Sequence, residues 1–315
     1  MGHRVLTEIQ HYGFGWVLDL RKDGYNIDTL QRASAAPPWL PVERSALYVA
    51  GIDIGSASSK ALILEQDRVL AHALMPTGAE SAASAQRVME IALRQAGLGL
   101  NDMSYIISTG YGRIIVPFAD EEVTELSCHA RGAHQLFPAV RTVLDMGGQD
   151  CKAIRCDERG RLGDFAMNDK CAAGTGRFLE LMADVLQIPL NQIGALSLEA
   201  TGEVRISNTC AVFAKSEVAA LVRQGRDRRE ILAGLHEAIA ARVHTLLRKV
   251  GVEPDFVIAG GIGKNIGVVQ RLEARVGLPA LVPPEPQIVG ALGAALFAAD
   301  RVAEGAVRRQ RQPIA

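Results

Sequence analysis

Two aspartates, one in each half of the chain, stand in settings that suit phosphate chemistry. The first is in Gly51-Ile52-Asp53-Ile54-Gly55-Ser56-Ala57-Ser58-Ser59-Lys60, the second in Asp145-Met146-Gly147-Gly148-Gln149-Asp150. Small residues let backbone N–H groups approach phosphate oxygens, and Ser58 and Lys60 add hydroxyl and ammonium donors. Asp53 and Asp145 can hold Mg²⁺ through its waters, and Asp145 or Gln149 can orient an attacking water. A third turn, Gly260-Gly261-Ile262-Gly263-Lys264-Asn265, lies between a strand-like and a helix-like run. It would let an adenosine lie against the backbone.

Any one of these turns, taken alone, reads first as an ordinary βα or hairpin turn. The third is not a dinucleotide fingerprint: it comes late in the chain, and no acidic residue ends a following strand about 20 residues on. It is not a phosphate-binding P-loop either, since no Ser or Thr follows Gly263-Lys264. The ordered set is more specific. Two Asp-bearing hairpin turns and a late Gly-Gly turn match the phosphate-1, phosphate-2 and adenosine motifs of actin, Hsp70 and the sugar kinases. The expected fold is therefore α/β: a duplicated ribonuclease-H-like ATPase fold with two lobes and a nucleotide cleft.

The chain has five cysteines: Cys128, Cys151, Cys156, Cys171 and Cys210. An odd number without a C-x-x-C pair argues against a disulfide framework and against a self-contained zinc or ferredoxin-type site. Cys171 and Cys210 fall where helices are expected to begin, with Asn208 or Thr209 as a cap for the second. A helix N-terminus favours thiolate over thiol, and its free N–H groups can bond cluster sulfides. Two thiolates do not complete a four-cysteine site, but a twofold axis supplies each ligand twice. The alternative is that both are small buried residues at helix starts. Cys128-His129 is expected to serve helix packing, and Cys151 and Cys156 to be strand residues. Glu285-Pro286-Gln287 leads the last helix and is placed to close over the nucleotide.

The elements that position these residues follow from hydrophobic periodicity. Strands are expected at LYVAGIDIG, ALILE and VLAHALM, then a helix from Ser81 to Gln95 and a strand from Tyr105 to Ser108. A second series opens at Thr142 with TVLDMGG, CKAIRC and RLGDFAMN. Both series begin with a strand, an Asp, a Gly-containing turn and a strand, which reads as an internal duplication. Helices follow near Phe178–Leu186, Cys210–Gly225 and Arg228–Gly251, then the strand DFVIAGG, a helix to Val276, a strand LVP and a last helix from Gln287. The expected organisation is an extension (1–46) that can act as a docking element, lobe I (47–141), lobe II with the Cys171 and Cys210 helices (142–300), and a polar tail (301–315).

Of the 315 residues 48% are hydrophobic and 22% charged, with a net charge of −1. There is ample material for a core and no basic field for nucleic acid or an anionic membrane. No apolar stretch reaches the roughly 20 residues of a spanning helix, and no leader pattern opens the chain, so a cytoplasmic location is expected.

From Ala50 to Ala299 the sequence resembles the activators of 2-hydroxyacyl-CoA dehydratases and the ATP-binding subunits of ATP-dependent benzoyl-CoA reductases. The resemblance rests on GIDIGS, STGYGR, ELSCHARG, DMGGQD, MNDKCAAGTGRFLE, SNTCAVFAKSEV, AGGIGKN and EPQIVGALGAAL. It implies that ATP with Mg²⁺ binds each subunit, and that Cys171 and Cys210 ligate one [4Fe–4S] cluster per dimer, shared with an identical or sister subunit. It further implies that ATP hydrolysis drives single low-potential electrons, supplied by a ferredoxin or flavodoxin, to a partner iron–sulfur acyl-CoA reductase or dehydratase. The aromatic extension tilts the expectation slightly towards a benzoyl-CoA reductase subunit over a homodimeric dehydratase activator. A small-molecule kinase and a regulatory nucleotide-binding module on the same fold are the readings from other classes.

Overall fold

The computed structural model describes residues 47–168, 174–206 and 210–308; the expected 1–46 docking element, Cys171 and the Asn208 or Thr209 cap lie outside these. Two five-stranded sheets are built alike. The first contains β1 (Tyr48–Ile54), β2 (Ser58–Glu65), β3 (Arg68–Pro76), β4 (Met103–Thr109) and β5 (Glu121–Glu122), in the order β3-β2-β1-β4-β5. The second contains β6 (Thr142–Met146), β7 (Cys151–Cys156), β8 (Leu162–Asn168), β9 (Phe256–Ala259) and β10 (Ala280–Leu281). Its order, β8-β7-β6-β9-β10, repeats the first strand for strand. In each sheet an antiparallel hairpin is followed by a parallel neighbour on the other side of the first strand. Such a parallel pair needs a crossover, and helices supply it.

The apolar strands β1 and β6 are buried along nearly their whole length, as expected of strands covered on both faces. On the first sheet, α1 (Ser81–Ala96) covers one face with Ala85, Val88, Met89 and Ala92. The other face is covered by α8 (Val289–Ala303), the last helix of the chain, through Ala291, Ala294, Leu296 and Ala298. On the second sheet, α3 (Gly176–Leu186), α5 (Ala211–Arg223), α6 (Arg228–Val250) and α7 (Ile266–Val276) share one core with β6 and β9. Helix α2 (Glu125–Leu136) covers the opposite face with Ala130 and Ala133. Each fully buried Leu, Ile or Val contributes about 1.5–3 kcal/mol, so these four layers hold the sheets rigid behind the turns.

Helices α2 and α8 cross in backbone contact. A Cβ at Gly132 would meet the Val289 carbonyl, and one at Gly293 would meet the Cys128 carbonyl. The crossing links the two sheets, because α2 lies on the second and α8 on the first. Periodicity does not delimit α2 or α4 (Ile193–Leu198). Both are short and rich in small or polar residues, so their apolar stripes are faint. Helix α8 continues past Asp300 to Ala303, where Arg301 forms a two-pronged pair with Glu121 (2.8 and 3.0 Å).

Candidate active site

The duplicated hairpins place the same charge pair in each half. Asp53 on β1 lies opposite Lys60 on β2, and Asp145 on β6 lies opposite Lys152 on β7. Lys60 Nζ donates to Asp53 Oδ2 at 3.1 Å; Lys152 Nζ donates to Asp145 Oδ2 at 3.4 Å. The turn between each pair closes with one bond of the same kind. Gly55 N–H donates to Ser58 O, and Gly147 N–H to Asp150 O, both at 3.0 Å.

Lys152 is more heavily engaged than its counterpart. It also meets Asp150 Oδ2 at 2.8 Å and Glu125 Oε1 at 3.3 Å, with only 4% of its side chain exposed. Burial works against its charge, but Asp145, Glu125 and Asp150 outweigh burial and raise its pKa. Glu125 and His129 lie one turn apart on α2. His129 Nδ1 donates to the Glu125 carbonyl at 2.9 Å, which turns Nε2 towards Asp145 Oδ1 at 3.4 Å. Burial pushes the Asp145 pKa up, but His129, Lys152 and Lys60 together hold it below the usual carboxylate range. Asp145 is thus a buried anion kept ionised by neighbours from both halves.

Three glycines let the backbone close around these carboxylates. Gly110 (φ +86°) and Gly260 (φ +79°) take left-handed conformations that other residues rarely adopt. A Cβ on Gly260 would come within 2.8 Å of Asp145 Oδ1. A Cβ on Gly148 would collide with that of Ala57 in the opposing turn. The two hairpin turns therefore meet face to face across a cleft.

That cleft is a cavity of about 960 Å³. It is lined by Asp53, Gly55, Ser56, Ser58, Lys60, Asp145, Gly147, Gly148, Gln149, Gly260, Gly261, Lys264 and Asn265, all proposed from the sequence, while Gly263, Glu285 and Pro286 are not in its lining. Gln149 is exposed at the cleft, unlike the buried Asp145. Lys264 is paired with Glu285 Oε2 at 2.8 Å, and Asn265 Oδ1 caps α7 by accepting from Val268 N–H at 3.1 Å. Gln287 also lines the cleft, with Asn191, Gly194 and Ala195 around the start of α4. The cradle suits a nucleoside triphosphate: a roomy cavity lined by two glycine-edged hairpin turns and by a strand-to-helix turn packed against the second of them.

Sequence reasoning does not assign Lys152, Glu125 or His129 to the site. Lys152 is recoverable from the duplication, because it follows Asp145 at the interval by which Lys60 follows Asp53. His129, expected to serve helix packing, is buried, but it points at Asp145. Cys128, its neighbour, does serve packing between α2 and α8.

The cysteines separate into two kinds. Cys128, Cys151 and Cys156 are buried. Burial pushes the Cys128 thiol up to about 12 and Cys156 to about 11, and raises Cys151 further, so none is a ready metal ligand. Cys210 is only partly buried and is itself the N-cap of α5, in an extended conformation (φ −152°, ψ 134°). The next turn carries Val212 and Phe213, each 69% exposed. A half-buried thiol at a helix start, beside two uncovered apolar side chains, fits a ligand at an interface.

The paired sheets, crossing helices and facing turns define a two-lobed actin-like ATPase fold. Distant likenesses bear on the fold alone: the ethanolamine utilization protein EutJ of Carboxydothermus hydrogenoformans (TM-score 0.54, 17% identity) and a glucokinase of Streptomyces griseus (TM-score 0.50, 15% identity). Within that class, residues 50–298 match the BadF/BadG/BcrA/BcrD ATPase family, and the chain belongs to it. It is 45% identical to the activator of lactoyl-CoA dehydratase from Anaerotignum propionicum, over 80% of this chain and 97% of that protein. The 2-hydroxyisocaproyl-CoA dehydratase activator of Clostridium difficile, solved with bound ADPNP, superposes with TM-score 0.78 at 41% identity, covering 82% of this chain and 97% of that one. A benzoyl-CoA reductase component of Thauera aromatica is 37% identical over 66% of this chain and 76% of its own length. The slight tilt towards a benzoyl-CoA reductase subunit therefore finds no support. Among the described residues no helix is long and apolar enough to cross a membrane.

Proposed function

We propose that the chain is an ATP-hydrolysing activator that works as a pair of identical copies and passes single electrons to a 2-hydroxyacyl-CoA dehydratase. The observation that carries this reading is Cys210: the one described cysteine that is neither fully buried nor surrounded by core, at the head of α5 beside exposed Val212 and Phe213. Its support from relatives is the near-complete coverage of dehydratase activators at 40–45% identity.

In this reading Asp53 and Asp145 hold Mg²⁺ through its waters. This accords with the described residues, where no three His, Cys, Asp or Glu side chains are grouped to bind a bare ion. Lys60 pairs with Asp53, Lys152 helps to keep Asp145 ionised, and Asp145, with Gln149 at the cleft, orients the attacking water. The glycine turns grip the phosphates, and the Gly260–Asn265 turn carries the nucleoside. Catalysis needs positioning and electrostatics, with no covalent nucleophile. Cys171 and Cys210 of each copy hold the [4Fe–4S] cluster, which when bound supplies one-electron chemistry at low potential. A ferredoxin or flavodoxin is the electron source.

Anaerobic iron and sulfide analysis, with mass in solution, tests the proposal. About four irons per pair of chains is expected for one cluster with two ligands from each copy. Stoichiometric zinc, or no metal, refutes it and leaves an ATPase without redox function. Purification in fixed ratio with a sister chain would point to a reductase subunit.

A further inference from the structure

The second phosphate turn is held from outside the cleft. Gly147 O accepts from Gly176 N–H at 3.0 Å, and Gly148 O accepts from Arg177 N–H at 2.9 Å. Gly176 and Arg177 open α3, and the first amides of a helix have no partner within it. Here they are satisfied by the turn.

This fixes which way the turn faces. A trans peptide is planar, so its carbonyl and the N–H that follows point in opposite directions. With the Gly147 and Gly148 oxygens turned to α3, the N–H groups of Gly148 and Gln149 are turned away from it, and both residues line the cleft. Neither N–H has a hydrogen-bond partner among the described residues. Two successive unpaired N–H groups facing one space form an anion-binding concavity.

The first turn is anchored differently. Gly55 O accepts from Thr77 Oγ1 at 2.8 Å, and Ala57 O from Thr77 N–H at 3.0 Å. Thr77 directly follows β3, so that turn is tied to its own sheet. The duplicated unit has kept the turn and exchanged the anchor, from a strand end to a helix start.

We propose that the Gly176 and Arg177 amides are positioning groups for a two-donor phosphate nest at Gly148 and Gln149, and that the same two bonds carry the presence of that phosphate to α3. An anion at the N–H end of a peptide polarises its carbonyl and strengthens the bond on the far side. Helix α3 begins five residues after Cys171 in the sequence. The inference rests on the nucleotide reading of the cleft and does not depend on the cluster.

Two substitutions at one position separate the bond from the space it occupies. Proline suits the first position of a helix and lacks the N–H. Thr175 already has the extended conformation (φ −126°, ψ 170°) that a residue before proline requires. Gly176→Pro therefore deletes the bond to Gly147 O. Gly176→Ala keeps it and adds a Cβ 3.3 Å from that oxygen. Binding of Mg²⁺ with a non-hydrolysable ATP analogue, and of adenosine, is measured for both by calorimetry. Amide exchange of residues 178–186 is followed with and without the analogue.

The proline variant is expected to bind the analogue about tenfold more weakly than the alanine variant, as for a lost hydrogen bond supporting a charged ligand. Adenosine should bind both alike within about twofold, which also reports that the variants fold. The analogue should slow exchange in α3 of the alanine variant and not of the proline variant. Equal analogue affinities, or α3 exchange in the native chain indifferent to the analogue, would overturn the inference. If the native chain binds the analogue no better than adenosine, the nucleotide reading itself falls, and the inference with it.

Discussion

Replacing Lys152 by methionine tests the electrostatic account of the site. Lys152 Nζ lies 2.8, 3.3 and 3.4 Å from carboxylate oxygens of Asp150, Glu125 and Asp145. Methionine fills the same stem volume and removes the charge, which leaves three carboxylates facing one another with Lys60 and the His129 ring nearby. Breaking a buried pair by removing one partner costs about 3–5 kcal/mol. The loss should lie at the upper end, since three anions lose one cation. Lys60→Met should cost less, because Lys60 Nζ is paired with a single carboxylate, that of Asp53.

The pH dependence gives the sharper check. In the native chain Asp145 is depressed below its unfolded value, so its contribution to stability is present above the unfolded pKa and is lost as pH falls through the folded one. Without Lys152 one of the groups that depress it is lost, so the folded pKa of Asp145 is expected to rise, with His129 and Lys60 still opposing burial. The variant then loses part of the stability that the native chain gains as pH rises through the carboxylate range, and the difference closes in acid, where Asp145 is protonated in both. Urea unfolding at about pH 3 and about pH 6 should show the gap between native chain and variant widening with pH. A loss below about 1 kcal/mol, or a gap independent of pH, would refute the argument, because either means the three carboxylates are screened like surface groups.

Further outcomes follow from other parts of the molecule. Gly148→Ala places a Cβ against Ala57 in the opposing turn; steady-state ATP hydrolysis should fall about a hundredfold, comparable to a lost electrostatic donor, while the thermal midpoint shifts little. Asp145→Asn keeps the shape and removes the anion, and hydrolysis should be similarly impaired with nucleotide still bound. Cys210→Ser should abolish anaerobic iron loading without loss of nucleotide affinity, measured on one preparation by iron analysis and calorimetry. Thiol labelling of the native chain near neutral pH should leave Cys128 and Cys156 unmodified, since burial holds them at about 12 and about 11.

The sequence made the turns legible because their chemistry is local. A glycine-rich stretch after an apolar strand fixes its own conformation, and its Asp is named by position. The hairpins around Asp53 and Asp145 are continuous segments, so their pairing needed no knowledge of the rest of the chain. Lys152 was hidden by its setting: CKAIRC reads as a strand, and a lysine one residue in looks like a solvated position. Only the register with Asp145 shows that it is buried. His129 was hidden by topology, since α2 follows the first sheet in sequence yet lies against the second. Helix α8 is the converse, a C-terminal helix lying on the first sheet. Periodicity marks an apolar face but not the sheet it will meet.

The duplication also shows where the two halves ceased to be equivalent. Strand order, the Asp–Lys register and the turn-closing bond are common to both. A symmetric pair of phosphate turns would grip a nucleotide, but neither would report it, because each would be tied to its own rigid sheet. The Gly147–Gly148 carbonyls break that symmetry by leaning on α3, while Glu125 and His129 reach Lys152 and Asp145 from α2 on the other face of the sheet. The second turn is thus anchored on a helix start, and the first on a strand end. On the proposal above, that difference lets one turn serve as a fixed reference while the other answers to the phosphate through α3.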